Sequence, residues 1–131
     1  MIAKGDFEVK LAPQPADAYA DGKTLGRMTL DKQFQGDLQA TSKGQMLTGM
    51  SAVKGSAGYV AMEQVSGSLG GRRGSFILQH SGTMTRGQAS LVLTVVPDSG
   101  TDALAGLTGQ MKIDIVEGKH FYQFEYALSI L

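Results

Sequence analysis

Tyr59-Val60-Ala61-Met62-Glu63-Gln64-Val65-Ser66-Gly67-Ser68-Leu69-Gly70-Gly71-Arg72-Arg73-Gly74-Ser75-Phe76-Ile77-Leu78-Gln79-His80 alternates apolar and polar residues on both sides of a Gly-Gly pair. Alternation with period two is the signature of a half-buried strand, and Gly-Gly supplies the positive φ of a tight hairpin turn. Taking Gly70-Gly71 as a two-residue turn, Leu69 faces Arg72 and Glu63 lies opposite Leu78, diagonal to His80. A four-residue loop from Gly70 to Arg73 would instead set Glu63 directly opposite His80. Both registers put Tyr59, Ala61, Glu63, Val65 and Leu69 on one face with Phe76, Leu78 and His80, because opposed residues point the same way.

Working outward, Arg86-Gly87 predicts the next hairpin, with His80 opposite Leu93, Leu78 opposite Val95 and Gly82 opposite Leu91. A last hairpin with Gly118-Lys119 at its tip pairs Met111 with Tyr126, Ile113 with Phe124 and Ile115 with Tyr122. Phe7, Val9 and Leu11 alternate with Glu8 and Lys10, and Met28, Leu30 and Phe34 alternate with Arg27, Thr29, Asp31 and Gln33. The segment 37–50 is blurred by Lys43-Gly44 and reads as either a bent strand or a hairpin. Pro13, Pro15 and Asp21-Gly22 bracket a polar loop. Only Ser99 to Gly106 suggests helix, at most a turn or two after Pro97.

The sum is an all-β chain of about eight antiparallel strands, forming a single domain over residues 1–131. Open sheet edges invite aggregation, so closure into a small barrel is the expected solution, with a two-sheet sandwich as the competitor.

Composition narrows the function classes. The chain has 131 residues, with 18 Gly, 3 Pro and no Cys, and its 12 basic residues balance 12 acidic ones. Balanced charge gives no field to recruit nucleic acid or an anionic membrane. Without Cys there is no disulfide framework, thiolate nucleophile or Cys-based zinc site, and the 2 His residues cannot form a three-His metal centre. No cofactor is expected. The first residues, Met1 to Asp6, lack the apolar run of a secretory signal, and Leu91 to Val96 is too short to span a bilayer as a helix. A cytoplasmic location follows as the expectation.

The predicted interior is apolar and aromatic with a few polar groups: Glu63, His80, Tyr59, Tyr122 and Tyr126, with His120 near the rim. Such a mixture is typical of small-molecule pockets. Buried tyrosines also serve as ordinary core residues with one satisfied hydroxyl. A buried carboxylate needs a partner or a purpose, and His80 answers equally well as a structural partner for Glu63 or as its functional one.

Gly67 to His80, Val96 to Gly109 and His120-Phe121-Tyr122 with Tyr126 resemble a small bacterial family of unknown function. Its members look like allene oxide cyclase-type barrels, eight antiparallel strands closed around a pocket. The resemblance runs from about Phe34 to Leu128 and implies a fold. Plant allene oxide cyclases and dirigent proteins, the better-known relatives by fold, steer reactive intermediates to cyclised or coupled products, and the Ser-Gly-Thr…Ala-Gly run is similar to a Gly-rich stretch of dirigent proteins. The absence of Cys departs from the plant cyclases, so the resemblance implies no reaction type for this chain.

Other motifs reduce to structure. Gly67 to Gly74 lacks the Gly-Lys-Ser/Thr ending and following helix of a phosphate loop. Arg72-Arg73 reads as a solvated turn, Ser75, Ser81 and Ser99 lack a nucleophile elbow, and the seven Met residues read as adaptable core filler.

The functional expectation is a barrel that binds a small hydrophobic molecule. In an enzyme of isomerase, cyclase or lyase type, Glu63 would be the base, with its pKa raised by an apolar lumen, and His80 would orient it or shuttle the proton. Tyr59, Tyr122 or Tyr126 would meet developing oxyanion charge. Tyr59, Phe76, Leu78, Leu93, Ile113, Tyr122, Phe124 and Tyr126 form the expected ligand wall. The rivals are a lipocalin-like carrier, in which Glu63 is an ordinary carboxylate paired to His80, and a filled assembly module. Outward apolar residues at Ile77, Val92, Val96 and Phe121 predict a homodimer or larger homo-oligomer near Ser90 to Val96, unless residues 97–109 or the segment after Pro13 cover that face.

Overall fold

A computed structural model describes residues 1–15 and 24–129. The expected Asp21-Gly22 turn and the covering segment after Pro13 lie largely outside the described residues. Eight strands follow one another: β1 (Ile2–Gln14), β2 (Leu25–Gly36), β3 (Leu38–Met50), β4 (Ala57–Leu69), β5 (Arg72–Thr85), β6 (Gln88–Val95), β7 (Leu107–Val116) and β8 (Lys119–Leu128). Each pairs antiparallel with its neighbour, and β1 also pairs with β8, which closes the barrel.

Three hairpins are set by two-residue turns in which both residues have positive φ: Gly70-Gly71 (56° and 84°), Arg86-Gly87 (47° and 89°) and Glu117-Gly118 (52° and 80°). That conformation matches the right-handed strand twist and favours Gly at the second position. Leu69 therefore faces Arg72, Glu63 faces Leu78 and His80 faces Leu93, as the sequence predicts. The last hairpin corrects the sequence reading. Its turn is Glu117-Gly118 rather than Gly118-Lys119, so Met111 pairs with Phe124, Ile113 with Tyr122 and Ile115 with His120. The shift is two residues, and every side chain keeps its face.

The segment 37–50 is one strand, not a hairpin. Gly44 sits in its middle because a Cβ there would collide with the Met62 carbonyl and stand 2.7 Å from the Glu63 Cα. The predicted helical turn is a 3-10 turn at Asp102–Leu104. It carries Leu104 into the end of the barrel, where the side chain is 1% exposed. The connection it belongs to runs beside β5: Ser99 Oγ accepts the Ile77 N–H at 3.0 Å, and the Thr101 N–H donates to the Ser75 carbonyl at 2.9 Å. Ile77 and Val96 are half-buried, while Val92 stands 59% exposed.

Leu104, Leu107, Leu38 and Leu69 plug this end, and Phe34, Phe76, Phe124, Leu78, Leu93 and Val65 fill the space behind them. Phe76 and Phe124 stack with centroids 5.8 Å apart. No helix of the described structure is long and apolar enough to cross a membrane. At the opposite end, which holds residues 51–56 and the turns at Arg86-Gly87 and Glu117-Gly118, no plug of this kind is formed among the described residues. Along that end β6 and β7 separate, their one paired position being Thr94 with Gln110.

Candidate ligand-binding site

Four successive strands each send one polar side chain into the middle of the barrel: Lys32 from β2, Ser42 from β3, Glu63 from β4 and His80 from β5. Each falls on the inward parity of its strand. Gly44, opposite Glu63, leaves space over which the carboxylate reaches its partners. Glu63 Oε1 accepts from Lys32 Nζ at 2.9 Å and from His80 Nε2 at 2.6 Å, and Oε2 accepts from Ser42 Oγ at 2.6 Å. The Lys32 ammonium also lies 4.8 Å from the Phe7 ring centroid and 5.7 Å from that of Phe34, an additional attraction for a desolvated cation.

This environment overturns one expectation. Burial alone pushes the Glu63 carboxyl up, but the His80 hydrogen bond, the Lys32 ammonium and the Ser42 hydroxyl together outweigh it. The pKa falls from 4.5 to about 2. The raised pKa predicted for an apolar lumen fails because the lumen at this level is not apolar: it holds the His80 donor, the Lys32 ammonium and the Ser42 hydroxyl. Glu63 is a fixed carboxylate rather than a proton acceptor poised near neutrality.

Above this layer, towards the end opposite the leucine plug, the barrel opens into a cup of about 380 Å³. Met46, Thr48 and Met50 of β3, Ala57, Gly58 and Tyr59 of β4, Gly82 and Met84 of β5, Leu91 of β6, and Ile113 and Ile115 of β7 line it. Gly82 matters to its shape, since a Cβ there would run into the Tyr59 ring. The half-buried Tyr59 joins the two levels: its hydroxyl stands 3.3 Å from His80 Nδ1. Burial first, and then the Glu63 charge, push its phenol pKa up, so it keeps its proton. Clefts of about 490 and 430 Å³ lie along β1 and β8, with charged and amide groups such as Asp6, Glu8, Gln35, Asp114 and Gln123 in their walls beside Phe7, Val9 and His120.

Of the residues singled out in the sequence, Tyr59 and Ile113 line the cup, and Glu63 and His80 lie in the buried layer beside it. Phe76, Leu78, Leu93 and Phe124 belong to the filled half, each at most 2% exposed. Tyr122 is a buried tie between strands: its hydroxyl donates to the Gln35 carbonyl at 2.8 Å and accepts the Leu38 N–H at 2.9 Å. Tyr126 stacks on Phe124 near the Gly70 turn. His120 packs on Phe7, centroids 5.1 Å apart.

Sequence reasoning missed Lys32, Ser42 and the three methionines of the cup. Lys32 lies on the same parity as Leu30 and Phe34, which is the one local signal that points inward. Among the described residues, no group of three or more His, Asp or Glu side chains gathers to hold a metal ion.

Comparison with known proteins adds a family but no activity. The family described as a protein of unknown function (DUF3224) matches residues 3–126. A crystal structure of a DUF3224 protein of unknown function from Shewanella oneidensis MR-1 is 55% identical, with a TM-score of 0.94 over 100% of this chain and 98% of that one. No curated protein matches at a significant level. The chain belongs to the DUF3224 family.

Proposed function

We propose that this protein is a ligand-binding barrel whose cup takes a small, largely apolar molecule and holds it without transforming it. The observation that carries the reading is the division of the interior. One half is packed solid, a neutralised polar layer crosses the middle, and an apolar cup of about 380 Å³ stands above it. Cavities of this size suit small ligands. Three methionines give its wall adaptable, polarizable surface. A pKa of about 2 for Glu63 supports the carrier over a mechanism with Glu63 as base.

A second reading, proton-transfer catalysis on the bound molecule, rests on the Tyr59–His80 contact rather than on Glu63. We further propose that the outer apolar row of Leu47, Val60 and Val92 meets a second copy of the chain. These residues are 51–59% exposed and follow one another across β3 to β6, with Ser81 between Val60 and Val92.

Blocking the cup tests the main reading. Ala57→Phe introduces a ring among Met50, Met84 and Tyr59 while leaving the filled half intact. Wild-type protein is expected to bind 1-anilinonaphthalene-8-sulfonate saturably with enhanced fluorescence, and the folded variant to lose that binding. Equal binding by both would remove the cup from the account.

A further inference from the structure

The polar layer fixes the direction of the hydrogen bonds that reach the cup. Glu63, as a carboxylate, only accepts, so the Nε2 atom of His80 that lies 2.6 Å from it carries a proton. The titratable groups facing the ring are Glu63 and Tyr59 from β4, with Lys32 on the far side of the shared carboxylate oxygen. Lys32 already balances Glu63, so an uncharged imidazole leaves this buried layer without net charge, the arrangement that avoids an unpaired buried ion. In that ring Nδ1 is an acceptor, and the Tyr59 hydroxyl 3.3 Å away is the donor that satisfies it. The phenol proton is then committed downwards, and on a residue that lines the cup this leaves the hydroxyl oxygen only lone pairs to offer a ligand.

We infer that the cup selects an alcohol: a molecule with an apolar body and a hydroxyl that donates its hydrogen bond to the Tyr59 oxygen. The inference rests on the proposed ligand-binding role of the cup and adds the chemical class of the ligand. Thr48, Thr83 and Ser90 also line the cup amid thioether, alkyl and glycine surface, and Tyr59 is the lining residue whose hydroxyl contacts the buried layer, at His80. About a dozen water-sized volumes fit in 380 Å³, which suits a ligand of roughly ten non-hydrogen atoms. The Glu63–His80 pair acts at a distance, as a positioning device: it sets which way Tyr59 points its proton. A ligand that only accepts, such as an ether or ketone, meets lone pairs there and must either forgo a hydrogen bond or break the one between Tyr59 and His80.

Two isomers test this. 1-Nonanol and 1-methoxyoctane have the same formula, and only the first donates a hydrogen bond. Calorimetric titration of the wild-type protein is expected to show the alcohol binding about 3- to 10-fold more tightly, the worth of one net hydrogen bond. In Tyr59→Phe, with the fold checked by circular dichroism, both isomers should bind and the preference should vanish. The ratio of ratios cancels the two ligands' different costs of leaving water. An alcohol-to-ether affinity ratio that is the same in the wild type and in Tyr59→Phe, or larger in the variant, would overturn the alcohol assignment alone. Binding of neither isomer to folded wild-type protein would overturn the cup reading as well. If Tyr59→Phe fails to fold, Tyr59→Leu supplies the reference ratio in its place.

Discussion

Lys32 Nζ and Glu63 Oε1, on side chains 5% and 0% exposed, meet at 2.9 Å in the middle of the barrel. Removing two charges from water costs several kcal/mol each, and a buried pair recovers this only with good geometry and further hydrogen bonds. Ser42 and His80 supply those bonds, and no buried side-chain nitrogen or oxygen among the described residues lacks a partner. The pair divides the barrel into a packed half and a cup. It also predicts how each partner behaves when the other is removed.

Lys32→Met leaves Glu63 buried with its cation gone and should destabilise the protein by about 3–5 kcal/mol. Adding Glu63→Gln to that variant should return much of the loss, because no charge is then left uncompensated. Urea unfolding of the two single variants and the double variant measures the coupling. Additive losses would show that the two side chains act independently.

Acid stability should report Glu63 directly. Its pKa is depressed from 4.5 unfolded to about 2 folded. A group of this sign contributes fully above the unfolded value, and the contribution is lost as pH falls from about 4.5 towards 2. The loss is on the order of 3 kcal/mol. Denaturant midpoints measured between pH 6 and pH 2 should fall across that window, and Glu63→Gln should flatten the fall. A Glu63→Gln variant with the wild-type pH profile would assign the acid sensitivity to other carboxylates.

Tyr122→Phe should cost about 1–3 kcal/mol, since it leaves the Gln35 carbonyl and the Leu38 N–H at the turn after β2 without their partner. Ligand affinity should be unchanged, because Tyr122 stands in the packed half. Thermal unfolding together with a binding titration separates the two effects. A variant of unchanged stability but weakened binding would return Tyr122 to the ligand wall.

Gly44→Ala should be far more damaging than its exposure suggests. The new methyl group meets the Met62 carbonyl and the backbone at Glu63, and overpacking of this kind costs about 3 kcal/mol or more. Gly71→Ala is the contrast. Nothing lies within 4 Å of its Cβ, so only the positive φ of 84° is strained, at a cost of about 1–2 kcal/mol. Unfolding free energies of the two variants should differ accordingly.

The proposed association can be read from light scattering at micromolar concentration. Val92→Lys places a charge in the exposed apolar row on the outer face of β6 and should convert an oligomer to a folded monomer. A monomeric wild type would remove the interface. An unfolded variant would move Val92 into the structural core.

How far the sequence could be read follows from which forces are local. Two-residue turns of the X-Gly kind fix register by backbone conformation alone, so His80 opposite Leu93 and Glu63 opposite Leu78 were legible. Glu117-Gly118 is the same kind of turn, and centring it one residue late displaced the last ladder by two. Lys32 was hidden by its chemistry. A lysine on an apolar face reads as an interruption until the carboxylate that holds it is known, and that carboxylate is 31 residues away. The plug at Leu104 and the glycine that clears space for Glu63 depend on packing between distant strands, which no local pattern records. Met46, Met50 and Met84 looked like core filler because their alternation is that of core. They line a cup because, among the described residues, no side chain fills their end of the barrel.

Those methionines provide the most direct measurement of the central claim, that the cup is a ligand site and the rest of the interior is not. With the seven methionine methyl groups labelled with carbon-13, 1-nonanol is titrated into the protein and their resonances followed. Saturable shifts are expected at Met46, Met50 and Met84, while Met111, 3% exposed in the packed half, and Met62 on the outer face stay in place. Shifts spread evenly over all the methionines, or no saturable shift at the three in the cup, would contradict that claim.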